Sequence, residues 1–141
     1  MMMQIVVPTQ NEFEHISRLI KQFELDDRNL HYKQFLAGFI QNELVGFGRL
    51  RTFDSCTELC SLGVTESQRF KGIGTQLVNH LIAEATKPLY LVCIIPDYFK
   101  PFGFKTVSSY PVELQHKLDY CTAELVVPES YVVMRHTSFP A

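Results

Sequence analysis

The residues with the clearest chemical potential form one run, Arg69-Phe70-Lys71-Gly72-Ile73-Gly74-Thr75. Two glycines in alternate positions let a ligand approach the backbone closely, because no side chain stands in the way. A helix that starts here presents amides with no intrahelical acceptor. Those amides and the positive end of the helix dipole attract anions, phosphate oxygens among them. Arg69 and Lys71 add two cations at the same place. Two other phosphate loops are excluded. A Walker A loop needs Gly-Lys followed by Ser or Thr, and here Lys71 precedes Gly72. A dinucleotide fingerprint needs a third glycine where Leu77 stands. Taken alone, the run is either an anion site or a glycine-rich turn with no ligand.

An anion site of this kind needs a strand before the run and a helix after it. Thr57 to Val64 reads as the strand. Ile73, Leu77, Val78, Leu81, Ile82 and Ala85 recur with helical period. Lys87-Pro88 stops that helix, because proline disfavours a helical residue before it. Leu89 to Ile95 is a continuous apolar run with the length of a buried strand. Strand, helix and strand in this order make a crossover unit, so the two strands are expected to be parallel.

The flanking segments supply the rest of a sheet. Gln4 to Val7 reads as a short strand. Thr9 and Glu12 match a capping box, and Phe13, Ile16, Leu19, Ile20 and Phe23 then share a helical face. Phe35 to Ile40 and Leu44 to Phe53 form a hairpin across Gln41-Asn42-Glu43, a weaker turn signal than Asn-Gly. With Thr57 to Val64 they make an antiparallel meander. Pro96 to Phe102 predicts a short irregular helix closed by Gly103. Phe104 to Tyr110 reads as a strand, and Tyr131 to Arg135 as the last one. Pro111 to Leu125 is ambiguous, although Leu114, Leu118 and Cys121 or Leu125 would share a helical face. The fold class expected is α/β (α+β).

Composition sets the bounds. A chain of 141 residues suggests a single domain, here residues 1–137, with 138–141 as a loose tail. Thirteen basic and fifteen acidic residues give a formal charge of -2. That balance argues against a nucleic-acid partner, whose phosphates call for clustered Lys and Arg. Cys56, Cys60, Cys93 and Cys121 form no Cys-x-x-Cys pair and no zinc spacing with histidine, so free thiols and no metal are expected. His15, His31, His80, His116 and His136 show no triad or metal spacing. No apolar run reaches the roughly 20 residues of a membrane span, and the first residues do not read as a secretion signal. No membrane and a cytoplasmic location are the default expectation.

With these elements in place, the chain resembles the GNAT superfamily of N-acetyltransferases. The family signature is Arg or Gln, two residues, Gly, one residue, then Gly or Ala, and it fits Arg69, Gly72 and Gly74. A Leu-x-Val ends the preceding strand in the family, as Leu62-Gly63-Val64 does here. An aromatic segment ending in Gly-Phe lies downstream, as Tyr98-Phe99-Lys100-Pro101-Phe102-Gly103-Phe104 does. The resemblance covers Thr57 to Phe104. It implies a mixed sheet of about six to seven strands with three to four flanking helices. It also implies acetyl-coenzyme A as cosubstrate, with pantetheine inserted between the splayed parallel strands and pairing with backbone near Leu62 to Val64. The pyrophosphate would rest on Lys71, Gly72, Ile73, Gly74 and Thr75, with Arg69, Phe70 and Phe99 completing the cofactor site. A backbone amide near Val64 would polarise the acetyl carbonyl.

Acetyl transfer to an amine needs a proton acceptor, because an amine with a pKa near 10.4 arrives protonated. Glu58, six residues before Val64, stands where some family members keep a general-base glutamate. The bland alternative is a carboxylate that orders the sheet edge or faces water. Many members supply a proton to the leaving thiolate from a tyrosine, but Phe99 holds that position here. Tyr98 is adjacent, yet one residue on a helix turns the side chain by about 100°. A thiol pKa near 8.5 lets the thiolate depart unaided and take its proton from solvent.

A narrower resemblance, to the acetyltransferase domain of N-acetylglutamate synthases, rests on Ile95-Pro96-Asp97-Tyr98-Phe99 with Pro111, Lys117, Asp119 and Cys121. An acceptor with a carboxylate would require a cation, ideally a guanidinium. Arg49 and Arg51, two apart on one strand and so on one face, and Lys117 are the candidates; solvated surface charge is the alternative for all three. The function expected is acetyl transfer from acetyl-coenzyme A to a primary amine of a small molecule, amino acids included. Transfer to a protein or peptide, and a non-catalytic acyl-coenzyme A binding module, are the alternatives. A homodimer is left open.

Overall fold

A computed structural model describes residues 2–138. Seven strands form one sheet in the order β1-β2-β3-β4-β5-β7-β6. They are β1 (Gln4–Val6), β2 (Phe35–Ile40), β3 (Glu43–Thr52), β4 (Thr57–Val64), β5 (Leu89–Cys93), β6 (Phe104–Thr106) and β7 (Val132–His136). The helices are α1 (Gln10–Gln22), α2 (Ile73–Glu84), α3 (Pro96–Phe99) and α4 (Val112–Glu124). β4 and β5 are parallel, while β1-β2, β2-β3, β5-β7 and β6-β7 are antiparallel. The mixed sheet with one parallel pair is the expected one. The chain falls into two compact units: Met1–Leu50 with Cys60–Glu84, and Arg51–Leu59 with Ala85–Ala141. Of the expected tail, residues 139–141 lie outside the described residues.

In the first unit, α1 begins where the capping box predicts. Thr9 Oγ1 accepts from the Glu12 amide at 3.2 Å, and Glu12 returns the bond by accepting from the Thr9 amide at 2.9 Å. Ile16 and Ile20 then bury against Phe35, Ala37 and Phe47. The β2–β3 hairpin turns through Gln41 and Asn42, with φ of 50° and 64°. Those left-handed angles match the twist of the strands they join. Glycines in β3 let α2 pack closely. A Cβ on Gly46 would lie 2.8 Å from Leu77 Cδ1, and one on Gly48 would lie 2.4 Å from Leu81 Cδ1.

In the second unit, the ambiguous 111–125 stretch resolves as helix α4, Val112–Glu124. Leu114, Lys117 and Cys121 are its buried positions, so a lysine stands in the apolar stripe. Leu114 packs with Cys56, Tyr90 and Val133. The Phe104 strand ends at Thr106, earlier than the expected Tyr110. β7 inserts between β5 and β6, and Gly103 takes φ 98° after the aromatic segment. A Cβ on Gly103 would lie 2.9 Å from His136 Nε2, so only glycine passes there.

Candidate functional site

The glycine run singled out from the sequence lies between the end of β4 and the start of α2. Ser61 takes φ 49° in the middle of β4, and its Oγ donates to the Asp26 carbonyl at 2.9 Å. Asp26 is itself buried and ion-paired with Arg28 at 2.8 Å. A left-handed residue kinks a strand and re-aims the residues after it, here Leu62-Gly63-Val64. No sequence signal marked Ser61. Gly63 is fixed by packing, since a Cβ there would lie 2.6 Å from the buried Phe47 ring.

Beyond Val64 the chain makes a short 3-10 turn, Glu66–Gln68, and reaches the loop. Arg69 turns back, donating from Nε to the Val64 carbonyl at 3.1 Å and lying 5.0 Å over the Phe23 ring. Phe70 is fully exposed with φ 66°, and Gly72 comes next but one with φ 80°. A Cβ on Gly72 would meet nothing within 4 Å, so its surroundings are open space. Gln76 donates to the Gly72 carbonyl at 3.2 Å, which starts α2. The first amides of α2 therefore lack intrahelical acceptors. No acidic residue stands in that first turn, and Lys71 is exposed beside it. Ile73 and Leu77 anchor the other face of the helix with Val45.

The second unit gathers charge around Glu58. This carboxylate is 1% exposed. Lys117 Nζ lies 2.9 Å from Oε2, and an Arg51 guanidinium nitrogen lies 3.8 Å from Oε1. Both cations are themselves mostly buried, and Arg51 also lies over the Phe53 ring at 5.3 Å. Oε2 has no hydrogen-bond donor aligned on it, so its contact with Lys117 is an ion pair without a directed hydrogen bond. Glu58 thus faces protein and not water. The cluster holds one anion and two cations. Nearby, burial raises the pKa of the Cys56 thiol, with Glu113 and Glu58 adding to the effect.

The three cations considered for an acceptor carboxylate therefore differ. Arg51 and Lys117 both meet Glu58. Arg49 is fully buried, with Nε donating to Gln34 Oε1 at 2.9 Å and a terminal nitrogen to the Arg28 and Asn29 carbonyls at 2.9 and 3.0 Å. Alternation along the strand predicts that Arg49 and Arg51 act together, but Arg49 holds the loop after α1 instead. Phe99 is buried against Phe102 and Phe104, while Tyr98 is 38% exposed and edge-on to Phe99. His136, given no role from sequence, is buried. Its Nε2 lies 2.8 Å from the Phe102 carbonyl and its Nδ1 2.6 Å from Ser138 Oγ, so it ties down the Gly-Phe segment. Among the described residues, no group of three or more His, Cys, Asp or Glu could hold a metal ion. Nor, among them, is any helix long and apolar enough to cross a membrane.

The family model described as acetyltransferase (GNAT) family matches residues 1–104. The chain belongs to the GNAT acetyltransferase family. No curated protein matches it. Among solved structures, the GNAT chain is similar to N-acetylglutamate synthase from Neisseria gonorrhoeae, complexed with coenzyme A and N-acetyl-glutamate, with a TM-score of 0.77 and 21% identity. That match covers 96% of this chain and 35% of the synthase, so the chain spans about a third of that protein's length. It is also similar to Rv2747 from Mycobacterium tuberculosis in complex with CoA and NLQ, with a TM-score of 0.77, 14% identity, and 94% and 98% of the two chains covered. Arabidopsis thaliana Naa50, in complex with the bisubstrate analogue CoA-Ac-MVNAL, matches with a TM-score of 0.69 and 16% identity over 96% and 98%. At these identities the neighbours show the GNAT fold.

Proposed function

We propose that this chain transfers an acetyl group from acetyl-coenzyme A to the primary amine of a small molecule, with amino acids as the first acceptors to test. Family membership supports the reaction class. The observation that carries the donor assignment is the start of α2, with open space at Gly72, unpaired first-turn amides, no acidic residue and an exposed Lys71. Pyrophosphate on Lys71, Gly72, Ile73, Gly74 and Thr75 suits that geometry. Arg69 and Phe70 flank it, and the backbone of Leu62 and Val64 is the pairing edge for pantetheine.

In this reading Glu58, 1% exposed and paired with a cation at each oxygen, accepts the ammonium proton once the acceptor displaces Arg51, the more exposed of its two partners. The freed lone pair attacks the thioester carbonyl carbon, and a backbone amide near Val64 meets the developing oxyanion. The C–S bond then breaks. The thiolate takes its proton from solvent, with Tyr98 the hydroxyl that the aromatic segment offers. Arg51, the more exposed of the two cations on Glu58, is the partner for an acceptor carboxylate, and Lys117 secures Glu58 itself. The synthase solved with N-acetyl-glutamate supports an amino-acid acceptor.

Thiol release from acetyl-coenzyme A, run against amines, amino acids and peptides, tests the reading. Release with a free amino acid is expected. Release with peptides alone would refute the small-molecule acceptor. No release with any amine, together with a coenzyme A-dependent rise in melting temperature, would make the chain a binding module. A ligand that binds only the folded state must raise that temperature, so no rise at all would remove the donor assignment too.

A further inference from the structure

A second group of cations lies on the far strands of the sheet, and nothing in acetyl transfer uses it. Lys105 on β6 stands directly opposite Arg135 on β7, and Arg135 stands opposite Tyr90 on β5. Side chains in register across adjacent strands share a face, with Cα atoms about 4.5–5.5 Å apart. These three line one cavity of about 570 Å³, together with Ser108, Ser109 and Tyr110. No carboxylate lines it.

Like charges placed directly opposite destabilise a strand pair. Here neither cation has a carboxylate partner among the described residues. Arg135 Nε is also buried with no hydrogen-bond partner. A buried guanidinium nitrogen in that state is costly unless an acceptor arrives. Two cations and two serine hydroxyls call for the same complement. That complement is a tetrahedral dianion, since a phosphomonoester carries a charge of about -1.5 to -2 at neutral pH. The cavity is larger than a phosphate, and the partly exposed Tyr110 lines it beside Val107 and Pro111, which suits a flat organic body.

We propose that this cavity binds a small phosphomonoester with a flat organic group, its phosphate held by Lys105 and Arg135. The inference is independent of the acetyl-transfer reading. Phenyl phosphate is the probe, titrated into the full chain while backbone amide resonances are monitored, with benzoate and inorganic phosphate as comparisons. Shifts confined to the Lys105–Pro111 stretch and β7 are expected. Lys105→Gln, at an exposed position that leaves folding intact, should weaken binding about tenfold, the scale of one charge-assisted hydrogen bond. Arg135→Gln should weaken it at least as much, and Lys71→Gln should leave it unchanged. Benzoate and inorganic phosphate should each bind more weakly. The proposal is overturned if millimolar phenyl phosphate leaves Lys105–Pro111 unshifted. It is equally overturned if Lys105→Gln binds as the parent does, if Lys71→Gln abolishes the effect, or if benzoate binds as tightly.

Discussion

Replacing Lys117 by methionine tests the buried cluster most directly. The substitution keeps most of the length of the side chain and removes a cation 2.9 Å from Glu58 Oε2. Both partners are nearly inaccessible, at 6% and 1% side-chain exposure. Removing one member of a buried ion pair costs about 3–5 kcal/mol, because the other charge is left in a poor solvent. Arg51 stays 3.8 Å from Oε1 and still compensates in part. A loss near the lower end, about 3 kcal/mol, is therefore expected. A chain of 141 residues gains about 0.3 kcal/mol/K of entropy on unfolding, so the melting temperature should fall by about 10 °C. Circular dichroism melts and urea titrations read both quantities. A loss under about 1 kcal/mol would refute the reasoning, because that is the scale of an exposed pair.

Glu58→Gln should lower turnover by about 10²- to 10⁴-fold, the range of general base catalysis, with coenzyme A affinity unchanged by calorimetry; equal turnover in variant and parent removes Glu58 as base. Gly63→Ala drives a methyl to within 2.6 Å of the Phe47 ring and should cost about 1–3 kcal/mol in chemical denaturation; a neutral result would mean that β4 and the ring are not packed as described. Burial raises the pKa of the Cys56 and Cys93 thiols above the ordinary thiol range. The native state therefore keeps protons that the unfolded chain loses. Stability is full below the unfolded thiol pKa and should fall as pH rises through and beyond it. Urea midpoints flat from neutral to strongly alkaline pH would contradict this.

Much of the fold was legible because local rules and tertiary packing agree. The capping box starts α1 where Thr9 and Glu12 place it, and Phe35–Ile40 and Thr57–Val64 are strands with the expected bounds. Gly72 and Gly103 both take positive φ, as a turn and a helix end require. The 111–125 stretch was ambiguous because its apolar stripe contains Lys117, which periodicity counts as polar. Nothing local shows that a lysine will be neutralised by a glutamate on a distant strand. Arg49 misled for the same reason. Alternation along β3 predicts a shared face with Arg51, but burial against the Arg28 and Asn29 carbonyls is a long-range fact.

The glycine turn before α2, proposed as the donor site, is the part whose local structure sequence determined by itself. Its residues are contiguous, and the chemistry of a glycine turn before a helix depends on backbone amides, which local spacing sets. Leu62-Gly63-Val64 and the Gly-Phe segment, in order along the chain, were enough to identify the family. Tertiary structure alone decided the charges. It buried Glu58 with Lys117 and Arg51, withdrew Arg49 into the loop after α1, kinked β4 at Ser61, and set Lys105 against Arg135 beside an open cavity. A side chain's charge is written in its identity. What that charge costs, and what it can hold, depends on the groups that folding brings within a few ångströms of it.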